Sequence, residues 1–281
     1  MTFGDRKLID EKNIYDHNAW DNYEIDENML MKAREKVEEN NQISEDVDYI
    51  NDTRDNIKLH WNNFYSTHKR NFFKDRAWLS HEFPEMLTGN QNIFEVGCGV
   101  GNTVFPLLEK NPNAHIHCCD ISNVAIEELK NYEKFNPEKI NAFVCDISSE
   151  DCDLTMIQDN SLDYVLLVFV LSAIPLARMK RAIQNLSLKV KPNGFIYFRD
   201  YGKYDLAQLR FKKGRAVDAD TYARGDKTLV HFFTREQVED IFKAGSFTVE
   251  TYKEDKRLIV NRAKKLQMYR IWLQCKFIKK E

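Results

Sequence analysis

The stretch Ile93-Phe94-Glu95-Val96-Gly97-Cys98-Gly99-Val100-Gly101-Asn102-Thr103-Val104 decides how the chain reads. An apolar run enters it, glycines occupy 97, 99 and 101, and a helical pattern leaves it. That order predicts a strand, a tight turn and a helix start. Glycine permits the turn angles and lets a ligand lie against bare backbone, and a helix N-terminus offers unpaired N–H groups. A dinucleotide fingerprint would put its third glycine at 102; here Asn102 stands there and Gly101 precedes it. A glycine turn before a helix is also an ordinary structural device, so the turn alone does not establish a ligand site.

The run 114–119 reads as a second strand ending in Asp120, about 20 residues past the turn, where nucleoside-binding folds place a ribose carboxylate. A third strand, 141–145, ends in Asp146. Acids at the tips of three successive strands, Glu95 included, predict a nucleoside cofactor site at one edge of a parallel sheet. The turn with Glu95 before it resembles the first motif of class I S-adenosylmethionine-dependent methyltransferases.

Composition agrees with one soluble core plus an appendage. The 281 residues are 43% hydrophobic and 30% charged, and no apolar run reaches the roughly 18 residues of a membrane span. The first 20 residues carry Asp5, Asp10, Glu11 and Asp16, which argues against a secretory signal or a mitochondrial presequence. The six cysteines form no C-x-x-C pair, and Cys98, Cys118, Cys119 and Cys145, on or beside predicted buried strands, read as reduced core residues. His115 and His117 share a strand face and read as packed side chains, so no metal site is expected. Residues 1–60 hold 16 acids and 8 Lys or Arg, against 28 and 33 in the remainder. The acidic head and basic body suggest a polyanionic partner, although on charge alone a solvated face is the favoured reading.

Helix is predicted at 29–40 and loop at 41–55. From Trp61 to Glu85 aromatic and basic residues interleave densely. Aromatic faces stack on bases and cations meet phosphates; alternatively, the aromatics cover the sheet. Trp61 and Tyr65, four apart on one helical face, are expected to close over the cofactor. Downstream, 161–171 reads as a central parallel strand, 177–190 as a helix and 195–198 as the fifth strand. Extended chain is expected at 229–233, a helix capped by Thr234 at 234–244, a strand at 247–252 and a last element at 269–277.

From Trp61 onward the motifs resemble the tRNA N3-methylcytidine methyltransferases. Those carrying the likeness are Phe72-Phe73-Lys74-Asp75-Arg76, the 95–102 turn, Phe169-Val170-Leu171-Ser172-Ala173, Phe198-Arg199-Asp200-Tyr201-Gly202, Gln208-Leu209-Arg210-Phe211-Lys212 and Arg224-Gly225-Asp226. His17-Asn18-Ala19-Trp20-Asp21-Asn22 and Leu258-Ile259-Val260-Asn261-Arg262 resemble the subgroup acting on threonine and some arginine tRNAs. Lys227-Thr228-Leu229 departs from the family's Gly-Thr-Arg, and His231 replaces a usual aromatic.

The resemblance implies an α/β protein with a seven-stranded, mostly parallel Rossmann-like sheet flanked by helices. An N-terminal helical extension would occupy 1–85 and the methyltransferase domain 86–281. It implies S-adenosyl-L-methionine as cofactor and methyl transfer to cytosine N3 at position 32 of the tRNA anticodon stem-loop. A helper such as an aminoacyl-tRNA synthetase or tRNA-binding adaptor, no membrane, and a cytoplasmic location with the nucleus also open complete the expectation. Expected cofactor residues are Trp61, Tyr65, Arg76, Glu95, Gly97, Gly99, Asn102, Asp120, Ile121, Asp146, Ile147 and Val168. Expected RNA contacts are Lys69, Arg70, Lys74, Arg199, Lys203, Arg210, Lys212, Lys213 and Arg215. Asp200 and Arg224 are the catalytic candidates: Asp200 as a carboxylate facing the transferred methyl or as a structural partner, Arg224 in a loop closing over the base. A protein or small-molecule methyltransferase, and a non-catalytic RNA-binding subunit of the same fold, stay open as alternatives.

Overall fold

The structure, a computed structural model, describes residues 6–76 and 78–280. Asp5, Ala77 and Glu281 lie outside them. In chain order the elements are β1 (Ala19–Asp21), α1 (Glu27–Asn40), α2 (Val47–Asp55), α3 (Ile57–His68), α4 (Leu79–Glu82), β2 (Asn92–Val96), α5 (Val104–Lys110), β3 (His115–Asp120), α6 (Asn123–Lys130) and β4 (Ile140–Val144). There follow β5 (Leu162–Val168), α7 (Leu176–Ser187), β6 (Val190–Tyr201), α8 (Leu206–Leu209), β7 (Ala216–Asp218), β8 (Thr221–Ala223), β9 (Leu229–His231), α9 (Arg235–Lys243), β10 (Phe247–Asn261) and β11 (Leu266–Lys279).

The main sheet runs β1-β10-β11-β6-β5-β2-β3-β4. Strands β6, β5, β2, β3 and β4 are parallel, whereas β11, β10 and β1 join antiparallel. The expected seven-stranded sheet is therefore present, and β1 adds an eighth strand at its edge. The chain lays β3 and β4 on one side of β2 and β5 and β6 on the other. That reversal makes the β2/β5 boundary a topological switch point, where open α/β sheets bind ligands beyond the strand C-termini.

Period-two alternation divides the core. Val165, Leu167, Ile196 and Phe198 pack on one face with Met179, Ile183, Val238 and Phe242 of α7 and α9. Leu166, Val168 and Tyr197 pack on the other with Val104, Ile126 and Leu129 of α5 and α6. Burial on both faces is why β5 reads as a continuous apolar run. Thr234 caps α9 in a full capping box with Gln237.

Two expectations need correction. Residues 47–55, expected as loop, form α2; Asp46 caps it by accepting from the Tyr49 N–H at 2.9 Å. Thr53 is its sole buried residue, so no hydrophobic period could announce it. A small antiparallel sheet, β7-β8-β9, is also present: β9 lies in the extended chain expected at 229–233, whereas β7 and β8 are additional. Its strands are three residues each, and Ala216, Tyr222, Val230 and Phe232 bury together against Tyr201, Ala207 and Phe211. The head of the chain docks there: Asn41 bonds Asp220, Arg54 bonds Val217 and Asp218, and Lys227 bonds Asp52.

Candidate active site

A cavity of about 340 Å³, within the range of small-ligand sites, opens over the C-terminal tips of β6, β5, β2, β3 and β4. Of the expected cofactor residues, Trp61, Tyr65, Arg76, Gly97, Gly99, Asn102, Asp120, Ile121, Asp146 and Ile147 line it.

The turn after β2 forms its floor. Gly97 and Gly99 sit at φ 64° and 53°. A Cβ on Gly97 would strike the Val170 methyls, and one on Gly99 the Tyr65 hydroxyl. Both glycines are therefore demanded by conformation and by close approach. Helix α5 begins only at Val104, so the turn, not a helix end, meets the cavity.

Asp120 is held rigidly. Its Oδ2 accepts from Gly99 N at 2.8 Å and its Oδ1 from Ser122 N at 2.9 Å. Burial pushes its carboxyl up to about 6, against the opposing pull of the Ser122, Gly99 and Ile121 N–H groups. Asp146 accepts from Ser148 N and Oγ at 2.9 and 2.7 Å. Both acids meet backbone donors two residues on, an Asx-type bond that fixes the carboxylate beside its strand tip.

Helix α3 covers this floor. Trp61 and Tyr65 lie 5.9 Å apart, and Asn62 ties the helix to Asn123 and Ser122 at 2.9 and 2.7 Å. Burial, with the Asp120 charge, raises the Tyr65 hydroxyl well above its ordinary range. The segment after α3 is anchored by Asn102, whose amide donates to Phe73 O and Asp75 Oδ1, both at 3.1 Å. Arg76 N returns to Asn102 O at 2.8 Å.

Two expected residues lie behind the wall. Val168 belongs to the core. Glu95 is buried, 3.4 Å from the Arg76 guanidinium, which itself lines the cavity. Burial pushes Glu95 up to about 7, opposed by Arg76 and Thr103, and its Oε2 has no partner. The donor set suits S-adenosylmethionine: two fixed carboxylates, flanking Ile121 and Ile147, stacking aromatics, and a guanidinium steadied by a buried acid.

Of the two roles expected for Asp200, its placement favours that of a structural partner. Asp200 is fully buried and does not line the cavity. Its oxygens accept from Ser172 N and Tyr201 N, both at 2.9 Å. Burial raises it to about 6, against Ser172, Tyr201 and Arg224. Asp200 thus holds the loop after β5 and the end of β6 together instead of facing a methyl. Arg224 donates to Leu229 O at 2.9 Å and Thr228 Oγ1 at 3.3 Å, with its guanidinium carbon 6.0 Å from the Tyr201 ring centroid.

The expected RNA contacts divide. Arg199 is buried: it pairs with Asp255 at 2.5 Å, donates to Gln274, and lies over Trp78 and Trp272. Lys203 pairs with Asp220 at 2.8 Å. Arg70 donates to Val100 O at 2.6 Å with its guanidinium 3.6 Å above Tyr132. Those three serve the fold. Arg215 leans on the Tyr49 hydroxyl at 3.0 Å but stays exposed. Lys69, Lys74, Arg210, Lys212 and Lys213 are exposed, and Lys74 reaches the cavity rim.

Sequence reading missed Phe73, Trp78, Phe169, Val170 and Tyr201 in the lining. Phe169 carried a usable signal: it follows the central apolar run where the strand must end. It sits at φ 59°, a left-handed conformation that costs a bulky residue about 1–3 kcal/mol.

Comparison with known proteins agrees with this geometry. A methyltransferase-domain family model matches residues 94–196. A Xenopus tropicalis protein named tRNA N(3)-cytidine methyltransferase METTL2 is 40% identical over 99% of this chain and 94% of its own. A Saccharomyces cerevisiae tRNA(Thr) (cytosine(32)-N(3))-methyltransferase is 41% identical over 98% of this chain and 45% of its own. A solved SAM-dependent methyltransferase from Anabaena variabilis superposes with a TM-score of 0.59 at 14% identity, covering 80% of this chain and 95% of that one. That last likeness speaks for the fold alone.

Proposed function

The chain belongs to the tRNA N(3)-cytidine methyltransferase family, and from that premise we propose that it methylates N3 of the cytosine at position 32 in the anticodon loop of threonine tRNAs. S-adenosylmethionine, when bound, supplies a methyl group on a sulfonium, whose departure as a neutral thioether is favourable. Cytosine N3 carries its own lone pair, so no strong base is needed. The protein's work is placement and exclusion of water.

In this reading Asp120 receives the ribose hydroxyls and Asp146 the adenine amine, with Ile121 and Ile147 along the adenine ring. Arg76, steadied by Glu95, serves the amino-acid carboxylate, and Trp61 and Tyr65 cover the site. The observation that carries the reading is one continuous cavity over five strand tips, with fixed carboxylates at the β3–β4 end and aromatic rings at the β5–β6 end. A Watson–Crick edge is reachable only when the base is unstacked from its loop. Lys69, Lys74, Arg210, Lys212, Lys213 and Arg215 then meet phosphates. A helper protein, such as an aminoacyl-tRNA synthetase or tRNA-binding adaptor, belongs to the proposal.

Labelled methyl transfer into threonine tRNA, into the same tRNA with uridine at position 32, and into protein and metabolite pools tests it. Label confined to the first, recovered as 3-methylcytidine, supports the proposal. Label in the other pools moves the function to a protein or small-molecule methyltransferase. Binding without transfer, with and without cell extract, leaves an RNA-binding subunit.

A further inference from the structure

The β5–β6 end of the cavity has no task in the cofactor assignment. The strand tips run β6, β5, β2, β3, β4 across the sheet. Neighbouring strands are about 4.8 Å apart, so β6 lies roughly 19 Å from β4. A nucleoside held at Asp120, with its tail over the glycine turn, ends near β2.

The two remaining tips carry Phe169 and Tyr201, whose ring centroids are 5.0 Å apart at 47°. Both rings line the cavity. Phe169 reaches it only through left-handed backbone, with its N–H locked onto Arg199 O at 2.7 Å. The ring also packs against the core cluster that holds Val168, but Val168, one residue earlier, is buried there without such backbone. Backbone strain sustained at a cavity wall points to a ligand. Tyr201 is held as well. The guanidinium carbons of Arg224 and Arg270 each stand 6.0 Å from its ring centroid, and Arg270 is itself bound to Asp205 at 2.8 Å.

We infer that Phe169 and Tyr201 form the wall against which the methyl-accepting pyrimidine lies. The inference rests on the tRNA cytosine reading and deepens it. A base sandwiched between two rings needs their centroids about 7 Å apart, twice the roughly 3.5 Å of carbon contact. At 5.0 Å the pair is instead a continuous aromatic surface, and the base stacks on its cavity side. The N3 lone pair lies in the plane of the base. A wall that fixes that plane therefore fixes the direction of attack, a role of orientation and not of charge.

The test uses a threonine-tRNA anticodon stem-loop with pyrrolo-cytosine at position 32, mixed with the full chain and S-adenosylhomocysteine so that no transfer occurs. Stacking quenches the fluorophore. Wild type is expected to quench it. Phe169→Leu and Tyr201→Leu lose most of the quench with the stem-loop kept bound by saturating protein, its phosphate contacts being untouched. Phe169→Tyr restores it. In parallel, single-turnover methylation of the ordinary stem-loop falls about 10-fold or more in Phe169→Leu, the scale of one lost base–aromatic stack. Cofactor affinity by calorimetry stays within twofold. Tyr201→Leu carries the test if Phe169→Leu does not fold. Undiminished quenching in the leucine variants overturns the inference. So does a loss of cofactor affinity as large as the loss in rate, which would give these rings to the cofactor. A wild-type protein that methylates no tRNA is a different failure, that of the tRNA reading itself.

Discussion

On the β3–β4 flank, Asp120 and Asp146 each accept a backbone N–H from two residues further on. On the β6–β10–β11 flank, Arg199 reaches Asp255 and Gln274, 56 and 75 residues away, and Gln274 reaches Glu82 across 192. An acid satisfied by its own loop is oriented yet keeps its charge for a ligand. A base paired across strands is neutralised and withdrawn from any ligand. Similar charged residues at strand ends thus acquire opposite roles, decided by where their partners sit in the chain.

Removing one member of the distant network gives the largest expected effect. Arg199→Ala leaves buried Asp255 with Arg257 as its remaining charged partner and takes the donor from Gln274, and breaking a buried pair costs about 3–5 kcal/mol. Denaturant unfolding should show that loss, while the salt dependence of tRNA binding stays as in wild type. A shallower slope with stability intact would return Arg199 to the RNA surface.

Glu95 lies between the two cases, an acid of the cofactor turn paired with Arg76 from outside it. Its folded-state value, raised by burial to about 7, exceeds its unfolded one. The stability it contributes is full below about pH 4.5 and is lost as pH rises through about 7, on the order of 3 kcal/mol. Glu95→Gln should flatten the stability–pH curve of the cofactor-free protein there. Asp120 and Asp200, raised by burial to about 6, keep part of the slope. A curve as steep as wild type would show that Glu95 is ionised in the folded state.

Asp120→Asn probes the local flank. Each hydrogen bond left unmade costs about 1–3 kcal/mol, so cofactor affinity by calorimetry should drop by at least about tenfold. Equal affinity would remove Asp120 from the site. The smallest effect belongs to the unpaired bases. Lys212→Ala with Lys213→Ala should leave stability within about 0.5 kcal/mol and reduce the tRNA salt slope by roughly 1–2. An unchanged slope makes both lysines merely solvated.

Legibility followed the same divide. The strand-tip acids and the Thr234 cap were readable because each is met by a donor two or three residues away, and the glycine turn because its residues are contiguous. Strand β1 was not, since Ala19–Asp21 gains its meaning only from Arg257–Ile259. Nor was α2, which carries one buried residue, or strands β7 and β8, of three residues each, although β9 falls in the expected extended chain. Arg199, Lys203 and Arg70 looked like phosphate ligands because their partners lie 56, 17 and 30 residues away. Among the aromatics, Phe169 and Tyr201 stand in recognisable motifs; the end of the central apolar run marked Phe169 as a strand-tip residue, but nothing local assigned the Tyr201 ring to the cavity.

The order of strands also governs the protein's birth. Strand β11 is the last strand of the chain, yet it lies inside the sheet, between β10 and β6. At about 5–20 residues per second, β6 leaves the ribosome several seconds before its neighbour exists. During that interval its edge, running past Phe195, Ile196, Tyr197 and Phe198, is an open template of unpaired backbone beside apolar side chains. Ribosome pausing within 202–265 would prolong the exposure, and a message interrupted there yields a product with every strand of the cofactor edge but an unsealed sheet. The nascent chain is most vulnerable to aggregation after its cofactor motifs are complete and before its final hairpin closes.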